Sequence, residues 1–137
     1  MKFSEATKLS DMLRLAIKDY RACIADPNYV INMTDWHIPI TQDGEKLCSV
    51  CLAGAVMAKT CKALPSYYYV ASDHDICSQL RVLDRLRSGD ISYTEDLGIE
   101  VSEVHCNEYE ELFRNCDVVL APEKLDEMLQ WLVDHDY

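Results

Sequence analysis

Two pairs of potential zinc ligands are the first feature of this sequence that could do chemistry. Cys48 and Cys51 are spaced C-x-x-C, His74 and Cys77 are spaced H-x-x-C, and 22 residues separate the two pairs. Tetrahedral zinc sites use cysteine and histidine at this spacing. However, Cys51 opens an apolar segment, where cysteine behaves as a small hydrophobic residue, and a chain with a sizeable core folds without a metal. A zinc site on these four residues is therefore an alternative interpretation.

A nucleophilic cysteine is the second arrangement that the residue types allow. Cys48 is predicted to lie near the N-terminus of a central helix, where the helix dipole lowers the pKa of a thiol. His37 would act as the base and Asp35 would orient it, and the three lie within 14 residues. Because seven cysteines and four histidines produce such neighbours by chance, this is also an alternative. A thioredoxin-like role is disfavoured, since no strand is predicted before the C-x-x-C pair.

Other enzyme classes lack the residues they need. The glycines stand at positions 44, 54, 89 and 98, which excludes a dinucleotide-binding fingerprint and a P-loop. The chain has neither the zincin helix motif nor the nucleophile-elbow motif of the hydrolases. We therefore predict a protein without a cofactor and without catalytic residues.

Negative charge is concentrated in the last third of the chain. The 137 residues carry 13 basic and 24 acidic side chains, a net charge of −11. Residues 1–89 hold 11 Lys and Arg against 10 Asp and Glu, a net of +1, whereas residues 90–137 hold 2 against 14, a net of −12. Such a segment repels nucleic acid and anionic membranes, and only a basic protein surface would gain from it.

The acidic third therefore contains the predicted partner-binding surface. Carboxylates in a row can imitate the phosphates of DNA and steer a basic protein onto themselves. The alternative is a solvated acidic surface that only aids solubility. Trp36 is a further candidate, either as an exposed anchor for a partner or as a cover for the central helix. The residues predicted to bind the partner are Glu100, Glu103, Glu108, Glu110, Glu111, Asp117 and Trp36.

Apolar periodicity predicts the helices that must position these residues. A stripe with spacings of three and four runs from Phe3 to Ile24, with Ser4 as its cap and Pro27 as its stop. Residues 47–64 are apolar on nearly every side, which predicts a buried central helix. Residues 29–45 are expected to contain one strand at most, with loops at residues 34–39 and 42–45.

The C-terminal half is predicted to hold two clear helices. One has a stripe at Ile76, Leu80, Leu83 and Leu86, a variant capping box at residues 72–75, and an end at Gly89. The last begins at Pro122. Between them, residues 91–97 and 108–115 are read as short helices, residues 99–101 as a short strand, and residues 118–120 as a strand or a buried connection. The fold class is therefore mainly α: a single domain, residues 1–137, of four to five helices with one or two short strands, α+β being the alternative.

No segment predicts export or a membrane span. Acidic residues interrupt the first twenty positions, and the longest uncharged stretch, residues 47–58, is about half the length of a span. We expect the seven cysteines to be free thiols in a reducing cytoplasm.

Two blocks of the chain resemble a group of small bacteriophage proteins. The first block holds Asn32-Met33, Trp36-His37, Pro39 and the run CSVCLAGAVMA at residues 48–58, and the second is LDRLRSG at residues 83–89. These blocks resemble uncharacterised proteins of tailed bacteriophages and cover roughly residues 28–91. The resemblance implies a host-takeover factor or an inhibitor of antiviral defence that acts by binding. We predict a non-enzymatic cytoplasmic protein that binds a basic host surface, with zinc or cysteine chemistry as the alternative.

Overall fold

The N-terminal stripe forms one long helix. In the computed structural model, which describes residues 1–66 and 76–137, α1 spans Leu9–Ala25 and buries Leu13, Ala16 and Tyr20 on the predicted face. The predicted end before Pro27 is confirmed. The predicted start at Ser4 is wrong, because Phe3–Glu5 forms a separate 3-10 turn and Lys8 precedes the helix without a capping side chain.

A three-stranded sheet follows α1, where the sequence predicted one strand at most. The strands are β1 (Tyr29–Ile31), β2 (His37–Gln42) and β3 (Glu45–Val50), in the order β1-β3-β2. β3 pairs parallel with β1 and antiparallel with β2. The turn between β2 and β3 is Asp43-Gly44, with φ angles of 51° and 79°. This dipeptide is typical of a type I′ hairpin, which joins two antiparallel strands. The predicted loop at this position is therefore a tight turn between two strands.

Pro39 fits in β2 because β2 lies at the edge of the sheet. The backbone amide of Ser66 donates to the carbonyl of His37, so this carbonyl points away from β3. Pro39 is two residues further along and has the same parity, so its missing N–H also falls on the outer edge. The proline therefore removes no hydrogen bond between β2 and β3.

The buried central helix exists but is shorter than predicted. α2 spans Leu52–Lys59, and all seven of its residues from Leu52 to Ala58 are buried. The predicted N-terminal part, residues 47–50, belongs to β3, and the helix ends before Thr60 rather than at residue 64. A continuous apolar run has no period that could distinguish a buried strand from a buried helix.

Three further helices complete the described chain. α3 spans Cys77–Arg87, and its predicted stripe from Ile76 to Leu86 is buried. The proposed capping box at residues 72–75 lies outside the described residues. Gly89 has a φ of 101°, as expected for the end of a helix, and a Cβ there would lie 2.7 Å from the Arg114 backbone. α5 spans Pro122–Asp134 and begins with the proline as predicted.

The segment between α3 and α5 differs most from the prediction. α4 spans Glu103–Phe113 and begins five residues before the predicted position, because Ser102 caps it by accepting from the amide of His105. The predicted helix at residues 91–97 is only a 3-10 turn at Glu95–Leu97. Neither residues 99–101 nor residues 118–120 form a strand, and in the latter connection Leu120 alone is buried.

The predicted mainly α fold is confirmed, with three strands instead of one or two. α2 contacts α1, α3, β2 and β3, so the core surrounds it. In the described ranges, no helix has both the length and the apolar character to cross a membrane.

Candidate functional site

The acidic third forms an exposed surface with few compensating cations. Of its fourteen acidic residues, thirteen are exposed and Asp90 is half-buried. Its two basic residues, Arg114 and Lys124, are each within ion-pair distance of an acid in the same region. Seven of the thirteen exposed acids have neither an ion pair nor a hydrogen bond to any residue in the ranges 1–66 and 76–137: Glu95, Asp96, Glu100, Glu103, Glu111, Glu123 and Glu127.

Three of the predicted partner-binding carboxylates are already engaged inside the protein. Glu108 accepts a hydrogen bond from the indole Nε1 of Trp131 at 2.9 Å, and its Oε1 lies 3.5 Å from Nε2 of His135. Glu110 forms an ion pair with Arg114, one turn later on α4. Asp117 lies 3.9 Å from the Lys124 ammonium. Glu100, Glu103 and Glu111 are the three of the six predicted acids that have no ion pair or hydrogen bond among the described residues, and all six stay predictions.

The contact of Glu108 anchors α4 to α5 through an aromatic cluster. Trp131 stacks on His135 with ring centroids 3.9 Å apart and meets Tyr109 edge-on at 5.1 Å. The Tyr109 hydroxyl donates to the carbonyl of Leu86 at 2.8 Å, and burial raises the pKa of this phenol. The buried side of α4 is thus held by aromatic packing, and its opposite side is left to solvent.

The orientation of α4 gives the acidic surface its shape. Tyr109 and Phe113 are buried, whereas Glu103 and Glu111 are exposed. Next to the start of α4 is an open cleft of about 750 Å³, lined by polar side chains that include Glu95, Glu100 and Tyr137. No local pattern in the sequence predicts this cleft, because residues 92–102 and Tyr137 meet only in the folded chain.

Cys51 has a structural position between β3 and α2. Its side chain is 1% exposed, and its sulfur accepts a hydrogen bond from the Gly54 amide at 3.3 Å, which caps α2. Burial raises the pKa of this thiol to about 12. A neutral capping thiol is neither a nucleophile nor a ready metal ligand, since both roles need the thiolate. The strand judged absent before the C-x-x-C pair is present as β3.

The proposed Cys48, His37 and Asp35 arrangement is not assembled. Cys48 lies inside β3 rather than at a helix N-terminus, and burial raises the pKa of its thiol. Asp35 accepts a hydrogen bond from Ser49 at 2.8 Å instead of orienting His37. His37 is 3% exposed, its pKa is lowered by burial, and neither of its ring nitrogens has a hydrogen-bond partner among residues 1–66 and 76–137. Cys48 and His37 therefore lack the surroundings that would stabilise a thiolate–imidazolium pair.

The structure describes three of the four candidate zinc ligands, Cys48, Cys51 and Cys77. His74 lies outside the described residues. Cys77 is half-buried at the first position of α3, and the sulfur of Cys51 caps α2. Among the residues that are described, no three His, Cys, Asp or Glu side chains are grouped so as to hold a metal ion.

Trp36 packs inward rather than protruding. Its half-buried side chain lies against the core, and its carbonyl oxygen accepts from the Cys51 amide at 3.4 Å at the start of α2. This position favours the covering role over the role of an exposed anchor. Trp36 as a partner-binding residue stays a prediction.

The two blocks that carry the sequence resemblance are in direct contact. Arg87, from the second block, donates to the carbonyl of Met33, in the first, at 2.9 Å and to Asp84 at 3.1 Å. The Met33 amide in turn donates to the carbonyl of Val118. These residues therefore hold the β1–β2 connection against α3, which is a structural role. Comparison of the chain with protein-family models, with curated proteins and with solved structures finds no match.

Proposed function

We propose that this protein is a non-enzymatic binding protein that engages a basic surface on another protein through its acidic third. The single observation that carries the proposal is the set of seven exposed carboxylates without a compensating cation in the described structure. An excess of negative charge does not stabilise the fold, because repulsion between like charges opposes compaction. A basic partner relieves this repulsion, and the attraction accelerates the encounter.

The surface most suited to this role surrounds the start of α4. Glu95 and Glu100 line the open cleft, Glu103 lies in the first turn of α4, and Glu111 lies two turns further along the exposed side. Seven carboxylates at the protein surface offer the charge pattern that a nucleic-acid-binding protein reads in phosphates. The acidic third would then compete with nucleic acid for such a partner.

The resemblance to tailed-bacteriophage proteins supplies the biological setting of the proposal. A phage protein of this kind would act in the cytoplasm of the host as a host-takeover factor or as an inhibitor of antiviral defence. Its target would be a host protein with a basic surface.

A capture experiment from bacterial lysate tests the proposal. The tagged full chain is immobilised, lysate is passed over it, and bound proteins are eluted first at about 0.1 M and then at about 0.5 M NaCl, where the screening length falls about twofold. We expect a partner that is retained at low salt and largely released at high salt. The double variant Glu100→Lys/Glu111→Lys should lose it.

The matched control changes the same charge elsewhere. Glu5→Lys/Glu45→Lys also replaces two exposed glutamates, in the N-terminal region whose net charge is +1, and brings the chain to the same total charge. We expect this control to retain the partner. Equal capture by wild type and by both variants would overturn the acidic-surface proposal.

Zinc or cysteine chemistry remains the alternative function. It rests on the spacing of Cys48, Cys51, His74 and Cys77, and the buried, capping position of Cys51 weighs against it. Elemental analysis of protein purified without chelators tests the metal. Binding near one equivalent of zinc would favour this alternative, and less than about 0.1 equivalent, against the full loading expected of a structural site, would eliminate it.

A further inference from the structure

Exposed aliphatic side chains accompany the exposed acids around α4. Among the described residues, nine large hydrophobic side chains are exposed, and four of them lie within residues 104–119. Their exposed fractions are 72% for Val104, 56% for Leu112, 52% for Val118 and 62% for Val119. Single exposed hydrophobic residues are common on proteins, but a local concentration marks an interaction surface.

Two of these side chains lie along the solvent side of α4. Val104 and Leu112 are eight residues apart, which corresponds to about 12 Å along the helix axis and less than a quarter turn around it. Tyr109 and Phe113 occupy the buried side. Glu111 is exposed next to Leu112, and Glu103 is exposed next to Val104. Each aliphatic residue is therefore preceded in the sequence by a carboxylate that has no ion pair or hydrogen bond among the described residues.

Folding does not account for these aliphatic residues. Val104 buries little of its surface, and a β-branched residue in a helix is less favourable than Ala, Glu or Lys by about 0.5 kcal/mol. Leu112 is likewise more than half exposed. Each position gains only little stability from its apolar side chain in the isolated protein, so binding is the process that would use them.

We propose that the exposed side of α4 docks a basic amphipathic helix of a partner protein, with Val104 and Leu112 as apolar anchors and Glu103 and Glu111 as the charged rim. Val104 and Leu112 are the two ends of one i, i+4, i+8 ridge of α4, with Glu108 between them, and such ridges pack into the grooves of a neighbouring helix. The uncompensated rim selects a partner helix with Lys or Arg beside its apolar residues. This inference rests on the proposed function and specifies the partner's chemistry.

The inference separates two kinds of acidic binding surface. A surface that only imitates phosphates binds through charge, and its affinity falls steeply with salt. A surface with apolar anchors also buries hydrocarbon, which salt does not screen, so part of its affinity survives. The nature of the α4 surface thus predicts a complex that salt weakens but does not abolish.

Two synthetic peptides serve as probes in the test. One has about 14 residues, two heptads, with leucine and lysine at helical amphipathic spacing, and the other is an oligolysine of equal charge. Fluorescence anisotropy measures the binding of each labelled peptide to the full chain at about 0.1 M and 0.5 M NaCl. We expect the Leu/Lys peptide to bind about tenfold tighter than oligolysine and to retain measurable affinity at the higher salt concentration.

Variants locate the binding on α4. Val104→Ser/Leu112→Ser should reduce the affinity for the Leu/Lys peptide to that for oligolysine. The control Ile24→Ser/Val133→Ser removes two exposed aliphatic side chains from α1 and α5 and should leave both affinities unchanged. All four positions are exposed, so we expect each variant to fold. Urea unfolding verifies that it does.

The outcomes distinguish this inference from the proposed function. If the two peptides bind equally, or if the α4 variant and the control behave alike, the apolar docking surface is wrong while the electrostatic proposal stands. If neither peptide binds and Glu100→Lys/Glu111→Lys captures the same proteins as wild type, the proposed function itself fails and this inference fails with it.

Discussion

The backbone of Gly54 lies against the carbonyl oxygen of Trp36, so closely that a Cβ at Gly54 would stand 1.4 Å from that oxygen. The same oxygen accepts a hydrogen bond from the Cys51 amide at the start of α2. The β1–β2 connection can approach the central helix only because residue 54 has no side chain.

We predict that Gly54→Ala destabilises the protein although it occurs inside a helix. Helix propensity alone would favour alanine by about 1 kcal/mol, but the clash with Trp36 must displace backbone and should cost more than about 2 kcal/mol in net stability. Urea unfolding measures the difference. The comparison variant is Gly44→Ala, whose Cβ meets open space and whose positive φ should cost about 1 kcal/mol. Equal stability of Gly54→Ala and wild type would contradict the close contact.

Glu108 and Glu111 are predicted to respond differently to the same charge reversal. Glu108→Lys removes the acceptor of the Trp131 indole, so its free energy of unfolding should fall by about 1–2 kcal/mol. Glu111→Lys affects no described contact and should stay within about 0.5 kcal/mol of wild type. Glu108→Gln retains an acceptor oxygen and should recover most of the loss. Similar stabilities of the two lysine variants in urea would show that Glu108 is not a structural residue.

The stability of the fold should decrease on mild acidification because of His37. Burial lowers the pKa of His37 below its ordinary value of 6.5, so the unfolded chain binds the proton more readily than the folded one. The contribution of neutral His37 is therefore complete above pH 6.5 and is lost progressively as the pH falls below 6.5. Asp19 acts in the opposite direction, since its pKa is raised by burial.

The variant His37→Leu isolates this effect. It removes the titrating group and leaves no described hydrogen-bond partner unsatisfied, since neither ring nitrogen has one. Urea midpoints between about pH 8 and pH 5 should fall more steeply for wild type than for the variant. Parallel curves would mean that His37 does not contribute to the pH dependence.

The cysteines should differ in the rates at which they react with a thiol reagent. Cys116 is exposed, whereas Cys23 and Cys51 are buried, with pKa values raised by burial to about 11 and about 12. We expect the two buried thiols to react more than about 100-fold more slowly than Cys116, and only through unfolding. Mass spectrometry of the partly labelled protein identifies the reacted sites. Rapid labelling of Cys51 in folded protein would disprove its capping role.

Periodic segments were predicted correctly because their information is local. The stripes of α1, α3 and α5 each repeat at the helical spacing over several turns, and Pro122 marks the start of α5. Where the period is absent, prediction failed. Residues 47–50 belong to a strand and residues 52–59 to a helix, yet both segments are almost entirely apolar.

The sheet depended on pairings that no local pattern contains. β3 lies between β1 and β2, so residues 29–31 pair with residues 48–50. The one local signal was Asp43-Gly44, which is typical of a tight hairpin. The start of α4 was similarly missed, because the cap provided by Ser102 precedes a helix with few apolar residues on its buried side.

The sequence by itself determined the mainly helical class and the concentration of negative charge in residues 90–137, since composition and periodicity need no knowledge of contacts. Only the tertiary structure decided which of those charges are available to a partner. Glu108 accepts a hydrogen bond from Trp131, 23 residues away, and Asp117 lies near Lys124, whereas Glu111 has no ion pair or hydrogen bond among the described residues. Charge is a property of each residue, but its compensation depends on the neighbours that folding brings to it.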